Sequence, residues 1–411
     1  MSQIPTDDAA LAKAFDLSRL TPAFAEDPFP TYRALLKHAT VKRFSDGSVM
    51  VSRHADLMRV YRDTETFSSD KKVEFAPKYG DTPLFLHHTT SLVFNDPPLH
   101  TRVRRIMSGA LTPRAISAME PALVRLVDTL LDGLGESCDL ITEYASAIPV
   151  EVIGNLFDIP HEERGPLRDW SLAILGALEP VLSDVQTERG NAAVVEFSEY
   201  LKDLTDLRRK SPGDPETDVL TRLLQGDRGD HLTEDELIQN CIFILNAGHE
   251  TTTNLIGNGL DLLLEHPDQR DMLLMHPDLI GSAIEEILRH QSSNQLGNRI
   301  TTKGCEIGGM VLPEGTRVHL IMGAANRDPE QFPDPDRFDV TRHPNRHLAF
   351  AGGPHVCLGL TLARLEGRIA ILRFIERFPD YQRDGAATRT GRVRFRGFSH
   401  LPAVLRKPVH K

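Results

Sequence analysis

The chain has few cysteines, no surplus of basic residues and no long apolar run, and each absence removes a class of protein. Its four cysteines (Cys138, Cys241, Cys305 and Cys357) are widely spaced, which suits neither a disulfide framework nor a CxxC zinc pair. Lys and Arg total 47 against 58 Asp and Glu, a net charge of −11, so the basic excess that nucleic-acid binding uses to neutralise phosphates is missing. No segment offers the roughly 18 consecutive apolar residues of a membrane helix. The N-terminus, MSQIPTDDAALAK, lacks the positive start and apolar stretch of a secretory signal. There is no internal repeat or low-complexity tract. No G-x-G-x-x-G follows a strand, and no cysteine cluster suits an iron–sulfur centre. With 40% hydrophobic and 26% charged residues, the 411-residue chain reads as a globular, cytoplasmic protein with reduced thiols.

The patterning is mainly α with minor β and shows no linker between independent domains, so residues 1–411 read as one domain. DPFPTYRALLKHA is a Pro-punctuated entry into a short helix. In TVKRFSDGSVMVSR, Asp46-Gly47 sits between alternating segments and predicts a β-hairpin, because the turn needs residues that tolerate positive φ. Apolar residues three and four apart predict helices from about Ala110 to Leu207. The breaker-rich stretch Arg208 to Glu216 reads as an exposed connection. Thr233 and Glu236 form a capping box opening a helix that runs to His266, far longer than the globular mean. Its middle, CIFILNAGHETTTNLIG, is apolar on several faces and is expected to cross the interior. A further helix covers DLIGSAIEEILRH, strands and turns lead to about Met322, and a Pro- and Asp-rich meander precedes a last helix from about Leu358 to Phe378.

The segment Phe350-Ala-Gly-Gly-Pro-His-Val-Cys-Leu-Gly359 carries the most chemistry. Gly352 and Gly353 ahead of Pro354 predict a tight turn that lets backbone approach a bulky group. Cys357 follows just before a helix, where free N–H groups and the helix dipole favour a thiolate. Gly359 leaves room for a flat ligand, and this combination suits a thiolate bound to iron. The other three cysteines read as inert core residues. His355 and Cys357 lack the second ligand pair that zinc needs.

FAGGPHVCLG resembles the haem-binding signature of the cytochrome P450 family, Phe-x-x-Gly-x-His/Arg-x-Cys-x-Gly, through Phe350, Gly353, His355, Cys357 and Gly359. The resemblance implies the cytochrome P450 fold, with a long central helix over a haem b and a small sheet region near the N-terminal part. It makes Cys357 the axial thiolate and Phe350 the ring beside its sulfur. Ala247-Gly248-His249-Glu250-Thr251-Thr252 is similar to the family's oxygen-activation segment. There Gly248 removes bulk, and Thr251 is able to bond a carbonyl one turn back and open a groove. Glu250 supplies an acid. Glu286 and Arg289 share a helical face. A surface pair would contribute only about 0.3–0.5 kcal/mol. In the family this pair is interior and braces the meander with a second arginine, here Arg337 or Arg342. Asp96-Pro-Pro-Leu-His100-Thr-Arg-Val-Arg104-Arg105 places His100 and Arg104 four apart on one helical face. By resemblance these two, with Arg299 and His355, hold the haem propionates, while Arg102 and Arg105 face solvent and the nearby His87 and His88 are loop residues without a role.

The implied activity is a monooxygenase that places one atom of O2 into a small, polar or oxygenated organic substrate, by hydroxylation or oxidative dealkylation. Thr251 is expected to stabilise the bound oxygen by hydrogen bonding and Glu250 to relay protons through water. No reductase is fused, so a separate ferredoxin or flavodoxin is implied. Arg102, Arg105, Arg342, Arg346, Arg364 and Arg368 offer a basic dock for it. An H2O2-driven peroxygenase is an alternative that the Glu250–Thr251 pair disfavours. A haem-thiolate protein that binds a ligand or carrier without turnover is another. A cysteine hydrolase lacks a base beside Cys357. The resemblance places Asn246, Ala247, Asn294, Gln295 and Phe398 at the substrate pocket, with Thr89, Thr90 and Leu92 in a loop above it. The Asn246 amide either bonds backbone or water, or meets a polar group of the substrate. The helical stretch from Trp170 to Leu207 reads as a lid.

Overall fold

The computed structural model describes residues 7–406, so the first six residues of the N-terminal segment inspected for a signal lie outside the described residues. The Asp46-Gly47 hairpin is present: Val41–Arg43 pairs antiparallel with Val49–Val51. Gly47 takes φ +82°, and the Asp46 carboxylate accepts from the Ser48 N–H at 3.0 Å, closing the turn. Strand Val49–Val51 then runs parallel to Arg317–Ile321, which pairs antiparallel with Leu296–Thr301 and through it with Phe67–Ser68. This five-stranded sheet joins segments from the two ends of the chain, a pairing no local pattern reveals.

The helical body is built around Glu234–Glu265. Both halves of its capping box form: the Glu236 N–H donates to Thr233 Oγ1 at 3.2 Å and the Thr233 N–H to Glu236 Oε2 at 2.9 Å. Most of its residues are buried, because Ala147–Leu156, Leu167–Gly176, Asp184–Lys210, Ile280–His290 and Leu360–Arg377 all pack on it. Among the described residues, no helix is long and apolar enough to cross a membrane.

One boundary differs from the sequence reading. Helix Asp184–Lys210 runs on through Arg208, which is buried rather than part of an exposed connection. Arg208 Nε pairs with Asp218 at 2.8 Å, and its Nη2 donates to the carbonyls of Phe157 and Asp158. An ion pair with a residue beyond the breakers thus carries the helix one turn further than its periodicity indicates.

The Glu286–Arg289 pair is interior, with both side chains fully covered. Arg289 grips the carboxylate with two bonds of 2.7 Å. Its remaining donors reach the carbonyls of Asn326, Pro335 and Arg337. The second arginine is Arg342, whose Nε lies 3.1 Å from Glu286 Oε1; the Arg337 side chain points outward to Asp339. Asn345 Nδ2 and the Asp339 N–H complete the set on Glu286. The meander is thereby fastened to helix Ile280–His290 just before it delivers the cysteine loop. Removing one charge from such a buried cluster costs about 3–5 kcal/mol, since two guanidinium groups lose their counter-ion. Glu286→Gln is expected to lower the unfolding free energy by about that amount in urea titrations, with retention of cofactor falling in parallel.

Candidate active site

The cysteine loop is shaped by its own backbone. The Ala351 N–H donates to the Leu348 carbonyl, the Val356 N–H to Gly353 and the Cys357 N–H to Phe350, at 2.9, 3.1 and 3.0 Å. Gly353 takes φ +65°, and a Cβ there would fall 2.0 Å from the Tyr61 carbonyl oxygen, so no other residue fits. The other left-handed residue is Ala351 at φ +56°, whereas Gly352 is extended. Helix Leu360–Arg377 starts directly after Gly359, beside which a Cβ would meet open space.

Cys357 lies on the wall of a large cavity. Burial pushes its thiol pKa up, against the opposing effects of the Gly359 N–H, Arg104 and Arg364. At this sulfur burial thus opposes the thiolate that the helix start is expected to favour. Phe350 also lines the cavity, and the Arg364 guanidinium stacks over its ring at 4.8 Å.

The long helix contributes Asn246, Ala247, Gly248 and Thr251 to the same cavity. Thr251 Oγ1 donates to the Ala247 carbonyl at 2.7 Å, the bond one turn back that its position suggests, while the helix stays unbroken. Ser293 Oγ donates to the Thr251 carbonyl at 2.8 Å. A Cβ on Gly248 would meet Ile153 Cδ1 at 2.3 Å, so helix packing as well as cavity space requires a small residue there. Glu250 does not reach the cavity wall. Both its carboxylate oxygens accept from Arg392 Nη1, at 2.7 and 2.6 Å, and Arg392 Nη2 donates to the Leu172 carbonyl at 2.6 Å. Burial raises the Glu250 pKa to about 7, with Arg392 opposing the shift.

On another side of the cavity stand His100, Arg104, Arg299 and His355. The two imidazoles stack with centroids 4.0 Å apart. Arg104 donates to the Val356 carbonyl and Arg299 to that of Asn298, both at 2.7 Å, and among the described residues neither has a carboxylate hydrogen-bond partner. Burial, with the neighbouring arginines adding, pushes the His100 pKa down to about 4 and that of His355 to about 2. Both His100 ring nitrogens and His355 Nε2 are buried without a partner. Cationic and donor groups left without an anion fit the two propionates of a haem, and the open space by Gly359 fits its plane.

Of the other sequence-derived pocket residues, Leu92 and Asn294 line this cavity. Thr89, Thr90, Gln295 and Phe398 do not. Thr89 Oγ1 turns back to the Phe85 carbonyl, and Gln295 is held between the Tyr32 hydroxyl and the Ser292 carbonyl. Phe398 lies under the Arg389 guanidinium at 3.8 Å, and Phe395 takes its place on the wall. Thr89 and Thr90 end a helix, Pro83–Thr90, rather than sit in a loop. The same helix brings His87 and His88 onto the wall, contrary to the reading of both as idle loop histidines.

The basic dock shrinks. Arg102 pairs with Glu236, Arg105 with Asp227 and Asp230, and Arg364 with Glu285, while Arg342 belongs to the interior brace. Arg346 and Arg368 stay exposed.

Sequence reasoning also missed Glu366 and Arg394 on the cavity wall. Neither sits in a recognisable pattern; each is placed there by tertiary packing.

A cysteine loop under a buried helix, beside anion-seeking cations, defines a haem-thiolate protein. The comparisons agree. The family model described as Cytochrome P450 matches residues 177–276 and 274–380. The biotin biosynthesis cytochrome P450 of Bacillus subtilis (strain 168) is 39% identical over 310 residues, 74% of this chain and 77% of its own. The vitamin D(3) 25-hydroxylase of Pseudonocardia autotrophica is 37% identical over 363 residues, 87% and 88% of the two chains. The crystal structure of P450BioI in complex with hexadec-9Z-enoic acid ligated acyl carrier protein superposes with a TM-score of 0.88 at 34% identity, covering 93% of this chain and 100% of that one. The chain belongs to the cytochrome P450 family, with the P450 fold, a haem cofactor and monooxygenase activity.

Glu366 gives the site a pH signature. It is 1% exposed with no cation beside it, and burial raises its pKa from 4.5 to about 8. A group whose folded-state pKa lies above its unfolded value contributes stability below the unfolded value and loses it as pH rises through the folded one. Between pH 5 and pH 8 the wild type is expected to lose stability relative to Glu366→Gln, by an amount on the order of 1 kcal/mol or more. Urea unfolding at the two pH values measures the difference.

Proposed function

We propose that this cytochrome P450 hydroxylates or oxidatively dealkylates a small organic molecule that has an apolar body and a hydrogen-bond acceptor, using O2 and electrons from a separate ferredoxin or flavodoxin. The observation that carries the substrate class is Asn246. It is 1% exposed, its Oδ1 accepts from Ser171 Oγ at 2.9 Å, and its Nδ2 has no partner although the residue lines the cavity. A buried donor left unpaired costs about 1–3 kcal/mol, which an acceptor on the substrate recovers. The rest of the upper wall, from Leu92, Ile174, Leu175, Phe243 and Phe395, is apolar. The relatives differ in the substrates their names state, so the class is read from this cavity.

Cys357 would hold the haem iron, and His100, Arg104, Arg299 and His355 its propionates. The haem, when bound, supplies the reductive activation of O2. Thr251 lines the cavity, and its hydroxyl, which donates to the Ala247 carbonyl, would be a hydrogen-bonding and proton-holding group on the oxygen side of a bound haem. Glu250 is the adjacent residue, and burial raises its pKa to about 7. It serves as proton source only when water takes the place of Arg392, so the ion pair gates the relay. The apolar wall excludes bulk water. This pair of residues favours O2 with a reductant over direct use of H2O2. Arg346 and Arg368 are the cations open to an acidic electron donor.

Reduced protein exposed to CO is expected to show the red-shifted Soret band of iron–thiolate ligation, and Cys357→Ser to lose it. Thr251→Ala is expected to bind substrate normally while most reducing equivalents appear as hydrogen peroxide instead of product, read as the ratio of peroxide to NAD(P)H consumed. Unchanged coupling removes Thr251 from the role.

A further inference from the structure

The cavity wall carries one cation that the cofactor does not account for. Arg104 and Arg299 match the two propionates in number, which leaves Arg394 in surplus. Arg394 follows Arg392 and Val393 in the segment that crosses the wall next to Phe395. Two backbone carbonyls orient its guanidinium: Nε donates to Leu178 and Nη1 to Leu296, each at 3.0 Å. Leu178 follows the lid helix Leu167–Gly176, and Leu296 opens strand Leu296–Thr301, so the group bridges lid and sheet at the cavity edge. Among the described residues, Arg394 Nη2 has no partner and the guanidinium forms no ion pair. The acid packed on this segment, Glu179, is occupied otherwise: its Oε2 accepts the backbone N–H groups of Val393 and Arg394 at 3.0 and 3.2 Å.

Two acids lie nearby, Glu74 and Glu179, but Glu74 pairs with Lys71 at 2.9 Å and Glu179 accepts backbone N–H groups, and among the described residues neither pairs with the Arg394 guanidinium. Lys78 lies close enough for Arg394 to add to the lowering of its pKa by burial, to about 8, and its Nζ is bound to the carbonyls of Ala177 and Glu179 rather than to an acid. His88, also lowered by burial and by both cations, keeps an unpartnered Nε2. The lining that Arg394 shares includes the apolar side chains of Leu175, Leu178, Leu296 and Phe395. A fixed guanidinium with a free edge, at the rim of an apolar cavity, is complementary to a carboxylate. Being already held by two carbonyls, it loses little freedom when it binds one.

We infer that Arg394 is a specificity-determining residue that binds the carboxylate of the substrate, which is therefore an organic acid whose apolar body extends along the cavity toward Cys357 and Thr251. The inference rests on the monooxygenase reading and narrows its substrate class; the Asn246 amide then meets a second acceptor on the body of the molecule.

The test is a spectral titration of the haem-loaded enzyme with 4-phenylbutyrate, dodecanoate and abietate, each beside its methyl ester, following the low- to high-spin shift. The CO-difference spectrum is recorded first, so that a preparation without iron–thiolate ligation counts against the monooxygenase reading instead. At least one acid is expected to bind about tenfold more tightly than its ester, the size of one charge-assisted hydrogen bond. Arg394→Gln is expected to weaken that acid about tenfold while the ester changes by less than about twofold. Arg394→Lys, which keeps the charge without the fork, is expected to fall between the two. Three results overturn the inference: no acid shifts the spectrum or outbinds its ester; Arg394→Gln weakens acid and ester alike; or Arg394→Gln loses haem, which would make the cation part of the cofactor's own site.

Discussion

Burying a sulfur that must become an anion is the constraint on which the site depends. Desolvation raises the Cys357 thiol pKa even with Arg104, Arg364 and the Gly359 N–H opposing it, so a metal cation at the sulfur would supply the charge that burial withholds. The cationic side of the cavity obeys the same logic in reverse. His100, His355, Arg104 and Arg299 line one side of it, and among the described residues neither arginine has a carboxylate hydrogen-bond partner, an arrangement suited to a cofactor that brings anions. Protein and haem are thus electrostatic complements, each carrying charges that are costly to bury alone.

Holding that loop in place requires rigidity at a distance. The covered carboxylate of Glu286 collects two arginines, an asparagine and a backbone N–H, and so ties the meander to a core helix. The tight approach of Gly353 to the Tyr61 carbonyl then sets the loop against the N-terminal half. On the opposite wall the long helix is locked by packing on nearly every face, so Thr251 and Asn246 project from a fixed frame. The stretch from Leu172 to Leu178 is fastened differently, through polar links. Lys78 and Tyr79 bond the Ala177 carbonyl, Arg394 bonds Leu178, and Arg392 joins Leu172 to Glu250.

Local patterns were legible where the chemistry is local. The capping box at Thr233, the positive-φ turn at Gly47 and the Thr251 bond to the carbonyl one turn back each involve residues close in sequence, and each appears as expected. The errors are long-range. Arg208, read as part of an exposed connection, is buried against Asp218. Gln295 and Phe398 are claimed by Tyr32 and Arg389. In the arginine cluster imagined as a dock, most members find acids that neighbour them only in space.

The sequence by itself determined the family and with it the cofactor class, because the runs Phe350–Gly359 and Ala247–Thr252 carry their resemblance within a few neighbouring positions. Only the tertiary structure decided which arginine completes the brace, where Glu250 points, and which side chains wall the cavity. Those outcomes depend on which of several competing partners a charged or amide group meets once buried, and that competition is settled by packing between distant segments.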